Sequence, residues 1–284
     1  MARVDRLNIA HYWRDGSVPG LSLMQADFRT QEYPPHRHEA LVVAVTEGGG
    51  SIISTRGVTE PASEDQALFV FNPVEPHAGW MGNSRRWLYR ALYLEEAALQ
   101  EVARSLGVED LTYFTRNAYA DRDLIAGFLA LHRALQAGQD PLLERELLVS
   151  TFGTLFRRHG SGEGRIQPGP RDRTRLRAAT EFIQARLSET ISLAELSAAV
   201  GLTQYQLISL FKRTTGLTPH AYVTQLRVDR AARYLAQGLP LAEVAVAAGF
   251  YDQSALTRHF KRCHGITPLQ YAEATRSVEM ASDR

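Results

Sequence analysis

The last third of this chain repeats itself, and that repeat limits the fold more than any other feature. Residues 193–201 (LAELSAAVG), Phe211-Lys212-Arg213 and Gly216-Leu217-Thr218-Pro219 return as residues 241–249 (LAEVAVAAG), Phe260-Lys261-Arg262 and Gly265-Ile266-Thr267-Pro268. The offset is 48 residues at the start and 49 at the end, so one residue is inserted between the glycine and the phenylalanine. Duplication at this period marks one structural module used twice.

Each copy reads as helix, tight turn, helix. Ser192 with Glu195, and Thr203 with Gln206, are capping-box patterns; Asp252 is the expected N-cap of the last helix. Leu193, Leu196 and Val200 share one helical face, as do Leu207, Leu210 and Phe211, then Leu256 and Phe260. Gly201 and Gly249 supply the turns. The opposite face of residues 253–262 carries Gln253, Ser254, Thr257, Arg258 and Lys261, side chains suited to base edges and phosphates, where a bland helical hairpin would mix in acids. Charge segregates in the same sense. Residues 165–284 hold 16 Lys and Arg against 10 Asp and Glu, a net of +6, while residues 1–164 hold 16 against 21, a net of −5. The near-neutral whole hides a basic half, the electrostatic footprint of a nucleic-acid-binding domain.

With these residues in view, 249–272 (GFYDQSALTRHFKRCHGITPLQYA) closely resembles the signature stretch of the AraC/XylS family of bacterial transcription regulators, and residues 175–274 resemble its whole DNA-binding domain. The resemblance implies two helix-turn-helix motifs joined by a long helix from Pro219 to about Gln237, presenting recognition helices about one DNA turn, roughly 34 Å, apart. It places Gln253, Ser254 and Arg258 on bases in the second copy and Tyr205, Ile208 and Ser209 at the matching exposed positions of the first. Relatives often carry arginine where Ser209 stands; Lys212 and Arg213 suit phosphates.

A chain of 284 residues, 44% hydrophobic, has room for two domains. No apolar stretch approaches 18 residues and no charged-then-apolar leader opens the chain, so neither a membrane span nor a signal peptide is read and a cytoplasmic protein is expected. The single cysteine, Cys263, cannot form an internal disulfide and is read as a small residue behind the second recognition helix. Residues 160–172 (GSGEGRIQPGPRD) are dense in Gly and Pro and sit where the charge changes sign. They read as a linker between an N-terminal domain, 1–159, and a DNA-binding domain, 173–284.

Short runs of strand character at 21–28, 41–45, 51–55, 67–71 and 87–94 predict a small β-barrel or sandwich. Helical spacing follows in Leu124, Phe128, Leu131 and Leu135, and again in Leu148, Phe152 and Leu155. These stripes serve either as core or as a dimer seam. The fold class expected is therefore α+β: a β-barrel with a helical segment, then an all-α domain.

Pro35-His36-Arg37-His38 and Pro73-Val74-Glu75-Pro76-His77 resemble the two histidine motifs of the cupin barrel, the sensor fold common in that family. His36 and His38 share a strand face, and the same parity carries Ala40, Val42 and Ala44 inward, small enough to leave room for a ligand. Three imidazoles could hold a metal, but metal-binding cupins add a glutamate where this chain has Val42 and Val43. The preferred reading is an effector pocket of His36, His38, His77, Trp80 and Tyr89, with no cofactor. The resemblance also implies an N-terminal arm, here with Trp13 and Arg14, that closes over the ligand or touches the DNA-binding domain.

No G-x-S-x-G, P-loop or Rossmann glycine pattern occurs. The alternative is a cupin-type metal-dependent enzyme fused to a DNA-binding domain. The reading as a whole is an effector-responsive, sequence-specific regulator, an activator rather than a repressor and no enzyme, acting as a homodimer on promoter DNA with RNA polymerase as partner.

Overall fold

The computed structural model describes residues 7–63, 67–109, 111, 113–161, 172–264 and 266–273. The chain divides into two compact units, Met1–Gln167 and Pro168–Arg284. Most of the expected linker, 162–171, lies outside the described residues.

In the first unit, β1 (Asn8–Arg14), β2 (Leu21–Phe28), β8 (Trp87–Leu94), β4 (Leu41–Thr55), β6 (Leu68–Phe71) and β9 (Ala118–Tyr119) form one antiparallel sheet in that order. A second sheet joins β3 (Glu32–His36) to β7 (His77–Trp80), β7 to the far half of β4, and β4 to β5 (Val58–Ser63). The runs at 41–45 and 51–55 are thus one strand of 15 residues shared by both sheets. It bends between them at Gly48-Gly49-Gly50, where its register against β8 shifts after Thr46. Gly49 has φ +72° there, and a Cβ on it would stand 2.0 Å from the Arg86 carbonyl oxygen, so only glycine fits this corner. Ala26, Phe28, Val42, Ile53, Phe69, Phe71, Met81, Trp87 and Tyr89 pack within the curved sheets.

Three helices, α1 (Glu96–Leu106), α2 (Arg122–Ala137) and α3 (Pro141–His159), pack on this unit, α2 against α3 and against β4 and β8. Asp121 and Asp140 cap α2 and α3 through the Leu124 and Leu143 amides. All seven stripe residues, Leu124 to Leu155, are buried within the single chain. They are core; a dimer seam on these helices has to use other side chains.

The second unit is all helical: α4 (Arg173–Ala185), α5 (Leu193–Ala199), α6 (Gln204–Thr215), α7 (Pro219–Ala236), α8 (Leu241–Ala247) and α9 (Gln253–His264). Both expected capping boxes form, Ser192 with Glu195 and Thr203 with Gln206. Asp252 Oδ1 accepts from the Ala255 amide at 2.7 Å. Gly249, φ +89°, leaves a Cβ no room, since the Leu187 carbonyl oxygen would lie at 2.4 Å. From cap to phenylalanine α6 and α9 are the same length, so the inserted residue falls in the second turn, between Gly249 and Asp252. Helix α7 joins the two modules as one 18-residue rod about 27 Å long. Cys263 is exposed, its Sγ donating to Gln225 Oε1 at 3.7 Å, and not tucked behind α9. It follows Phe260 by one turn on the same face of α9, in the helix's last turn, where the core has ended and the side chain is exposed.

Candidate nucleic-acid interface and ligand cavity

In α9 the stripe Leu256 and Phe260 is fully buried, which turns Gln253, Ser254, Arg258 and Lys261 outward and leaves Thr257 half-buried. These five line one shallow depression with Arg262, which sequence reasoning missed although it adjoins Lys261. Tyr251, in the turn before the cap, is 85% exposed beside them. In α6 the matching surface is poorer. Lys212 and Arg213 are exposed, Tyr205 and Ser209 are half-buried, and Ile208, expected to face outward, is only 4% exposed. Ile208 lies one turn from Phe211 and from Gln204, so it widens the apolar stripe of α6 and belongs to the core.

In the first unit a cavity of about 270 Å³ opens between the sheets. Strand parity builds one wall: Trp87, Tyr89, Ala91 and Tyr93 all point inward from β8. Val42 and Ala44 of β4, Phe69 and Phe71 of β6, and Met24 of β2 add to it, while Tyr33, His36, His38 and His77 close one region. Ala40, expected on this lining, is buried elsewhere, because β3 ends at His36 and the inward parity breaks before β4 begins.

Two other expectations fail here. On β7, His77 and Gly79 are the buried positions, so Trp80 takes the outward parity and does not line the cavity. Trp13 sits in no free arm: β1 pairs with β2 along its whole length, and the indole stands edge-on to His132 of α2 at 5.7 Å, remote from the lining. The alternation of β8, legible from Trp87 and Tyr89, could have added Tyr93. Met24, Tyr33, Phe69 and Phe71 gave no local signal.

The three histidines converge. Ring centroids are 4.9 Å (His36 to His38), 4.5 Å (His36 to His77) and 5.3 Å (His38 to His77) apart, and one ring nitrogen from each lies within 4.8 Å of the others. Nδ1 of His36 bonds to the Pro34 carbonyl at 2.8 Å and Nδ1 of His77 to the Glu75 carbonyl at 3.0 Å. A carbonyl oxygen only accepts, so in the neutral rings both Nδ1 atoms carry the proton and both Nε2 atoms keep a bare lone pair. Burial, reinforced by the neighbouring rings, depresses His77 to about 4, against the backbone hydrogen bond that favours its charged form. Burial likewise lowers His38, with the His36 charge adding to it.

Glu75 fixes the segment that carries His77. Its carboxylate accepts from Arg56 Nε at 2.5 Å, Asn117 Nδ2 at 2.9 Å, and the Asn72 amide and Nδ2 at 3.0 and 2.7 Å. Against its partial burial these donors hold the acid at about 2. A divalent metal would find three imidazoles here, but Glu75 is fully engaged and the cavity lining contains no carboxylate, so the donor set is nitrogen alone.

The phenols beside the histidines are linked to one another, Tyr33 lying 5.5 Å from the His36 ring and Tyr93 5.3 Å from the His38 ring. Tyr89 and Tyr93 each donate to Met24 Sδ at 3.4 Å, and Tyr33 is 3.0 Å from the Tyr89 oxygen. Burial raises all three, Tyr89 and Tyr93 well above the ordinary phenol range, so they stay protonated.

Residues 18–152 match the family model for an AraC-like ligand binding domain and residues 196–274 that for a helix-turn-helix domain. YbfI of Bacillus subtilis, described as an uncharacterized HTH-type transcriptional regulator, is 27% identical over 225 residues, 79% of this chain and 81% of that protein. The probable transcriptional regulator LumQ of Photobacterium leiognathi is 41% identical over 91 residues, 32% of this chain and only 37% of its own length. Among solved structures, the DNA-binding domain of AdpA, a global transcriptional factor in complex with a target DNA, aligns with a TM-score of 0.35 at 28% identity, covering 36% of this chain and 93% of that one. Two matched domains in this order, and relatives of one kind, place the chain in the AraC family of DNA-binding transcription regulators, with a ligand-binding domain ahead of the helix-turn-helix domain.

Proposed function

We propose that the protein is an effector-responsive, sequence-specific regulator in which α9 reads bases through Gln253, Ser254, Thr257 and Arg258 while Lys212, Arg213, Lys261 and Arg262 hold phosphates. The observation that carries this is the outward face of α9, a cluster of donors without a carboxylate on one surface depression. Helix α6 contributes through Tyr205 and Ser209, with Ile208 in its core. The small-molecule effector occupies the cavity beside His36, His38, His77 and Tyr89, and the sensor unit brings two copies together at promoter DNA, where RNA polymerase is engaged. No described helix is long and apolar enough to cross a membrane, which fits action in the cytoplasm. The cupin-type enzyme reading draws support from the three histidines alone, and both matched domains favour regulation.

The test is the operator. Footprinting defines it; Arg258→Ala is then expected to lose about 1–3 kcal/mol of specific affinity, as a bidentate guanine contact would. Lys212→Ala should weaken all sequences alike and flatten the dependence of binding on salt. Equal proportional losses of specific and non-specific binding in both variants would refute the assigned roles.

A further inference from the structure

The cavity lining contains no Asp, Glu, Lys, Arg, Asn or Gln. Its recognition chemistry therefore rests on imidazoles, phenols and one threonine, and most of their hydrogens are already committed. The Nδ1 hydrogens of His36 and His77 go to backbone carbonyls. Trp87 Nε1 donates to Thr46 Oγ1 at 3.3 Å. With Tyr89 and Tyr93 donating to the Met24 sulfur, Tyr33 donates to the Tyr89 oxygen. What remains toward the cavity is a surplus of acceptors, above all the Nε2 lone pairs of His36 and His77, against two spare hydrogens, the ring N–H of His38 and the hydroxyl of Thr46. A buried carboxylate meets no Lys or Arg here and only the His38 and Thr46 hydrogens, and a buried ammonium meets no counter-charge; both are costly. A neutral donor is what this site can satisfy.

Size and shape narrow the rest. A cavity of about 150 Å³ accepts benzene, so one of 270 Å³ suits roughly ten to twelve non-hydrogen atoms. The walls include the rings of Phe69, Phe71, Trp87 and Tyr89, with His77 stacked on Phe71 at 4.0 Å.

We propose that the cavity takes an uncharged aromatic molecule of this size whose polar head is a hydroxyl, an aryl alcohol or phenol, donated to the imidazoles of His36 and His77. The proposal rests on the reading of the cavity as the effector site and adds its chemistry. The low proton affinity of His77 agrees with it, since a neutral ring accepts and does not pair with an anion.

Three probes share one body: naphthalene, 1-naphthol and 1-naphthoate. Titrated into the full-length protein at pH 7 by ligand-observed NMR and calorimetry, with Zn²⁺ as a fourth arm, 1-naphthol should bind about tenfold more tightly than either of the others, the worth of one hydrogen bond to a buried acceptor. In His36→Phe and His77→Phe that preference should fall to within about twofold, while naphthalene still binds. Ala91→Leu, which fills the cavity, should abolish binding of all three; Ala44→Leu serves if the first variant does not fold. Tightest binding by 1-naphthoate would overturn the donor rule and leave the effector reading standing, and equal affinity for the three probes would overturn it too. Stoichiometric Zn²⁺, retained on the wild type, lost in His77→Phe and excluding 1-naphthol, would reassign the triad to a metal. Should no probe or ion bind wild type, the effector reading fails together with the proposal.

Discussion

In the DNA-binding unit the groups that define each element lie close in sequence: Ser192 and Glu195 close one cap, Thr203 and Gln206 another, Asp252 and Ala255 a third. In the sensor unit they are brought from far apart. Leu21 pairs with Leu94, Arg90 bonds to Glu47 on one side and His132 on the other, and His132 Nε2 donates to the Met24 carbonyl. The DNA-binding unit is built from a local rule applied twice, the sensor unit from pairings that only the closed sheets create. That difference decides which properties each unit has and which of them can be read in advance.

The strongest challenge to the local rule comes from its two cores. Phe211 stands edge-on to Tyr222 at 5.4 Å, and Phe260 to Tyr271 at 5.3 Å, both phenylalanines fully buried. Each change to alanine should cost the DNA-binding unit about 3–5 kcal/mol, by nearly equal amounts, and leave the sensor unit's melting unmoved. Calorimetry of the full chain checks this. Costs differing by more than about 2 kcal/mol would show that the copies are no longer equivalent inside.

The helices of the DNA-binding unit were legible because a cap, a period of 3.6 and a turn glycine all act within a few residues. Ile208 escaped because stripe width is set by the neighbouring helices: its counterpart in α9 is Thr257, half-buried at the same position. Among the strands of the sensor unit β2, β6, β8 and both halves of β4 were legible too, since alternation is local. Their assembly was not. Whether the Gly48-Gly49-Gly50 run ends a strand or bends it depends on Arg86, which approaches from the segment just ahead of β8. Trp80 and Trp13 were misplaced for the same reason, as the inward face of β7 and the pairing of β1 are fixed by partners elsewhere in the chain. Glu75 carried no signal because its donors come from Thr55, Arg56, Asn72 and Asn117, which only the fold gathers.

Acid separates the two units next. His132 is fully buried, its Nδ1 accepting from Arg90, and burial followed by the Arg90 charge depresses it to about 4 from its ordinary 6.5. A histidine lowered on folding takes up its proton more readily in the unfolded chain, so its stabilising share is complete above about pH 6.5 and declines as pH falls toward 4. From pH 7 to pH 5 this residue should cost the sensor unit about 2 kcal/mol. Among the described residues of the DNA-binding unit the buried polar ones are Ser197 and Gln204, neither ionisable, so its transition is the internal reference. His77, held at about 4 as well, carries a share of the same size, so His132→Gln should remove about half of the pH dependence of the sensor transition; a variant that follows the wild-type curve would place the proton uptake elsewhere.

The smallest effect tests the local rule at a point where the repeat itself departs from it. Helix α5 starts at Ser192, whose hydroxyl accepts from the Glu195 amide while Glu195 returns to the Ser192 amide at 3.2 Å. Its counterpart α8 starts at Pro240 with no side-chain cap, although Glu243 stands at the matching third position. Ser192→Ala should therefore cost about 1 kcal/mol, the usual worth of such a cap, whereas Pro240→Ala breaks no cap bond and acts mainly through the unfolded chain, by a few tenths. Urea melts of the two variants followed by helical signal provide the comparison. Equal losses would mean that the caps are incidental and that packing on α7 alone sets the stability of both modules, which would remove the local rule as the explanation of why this half was legible.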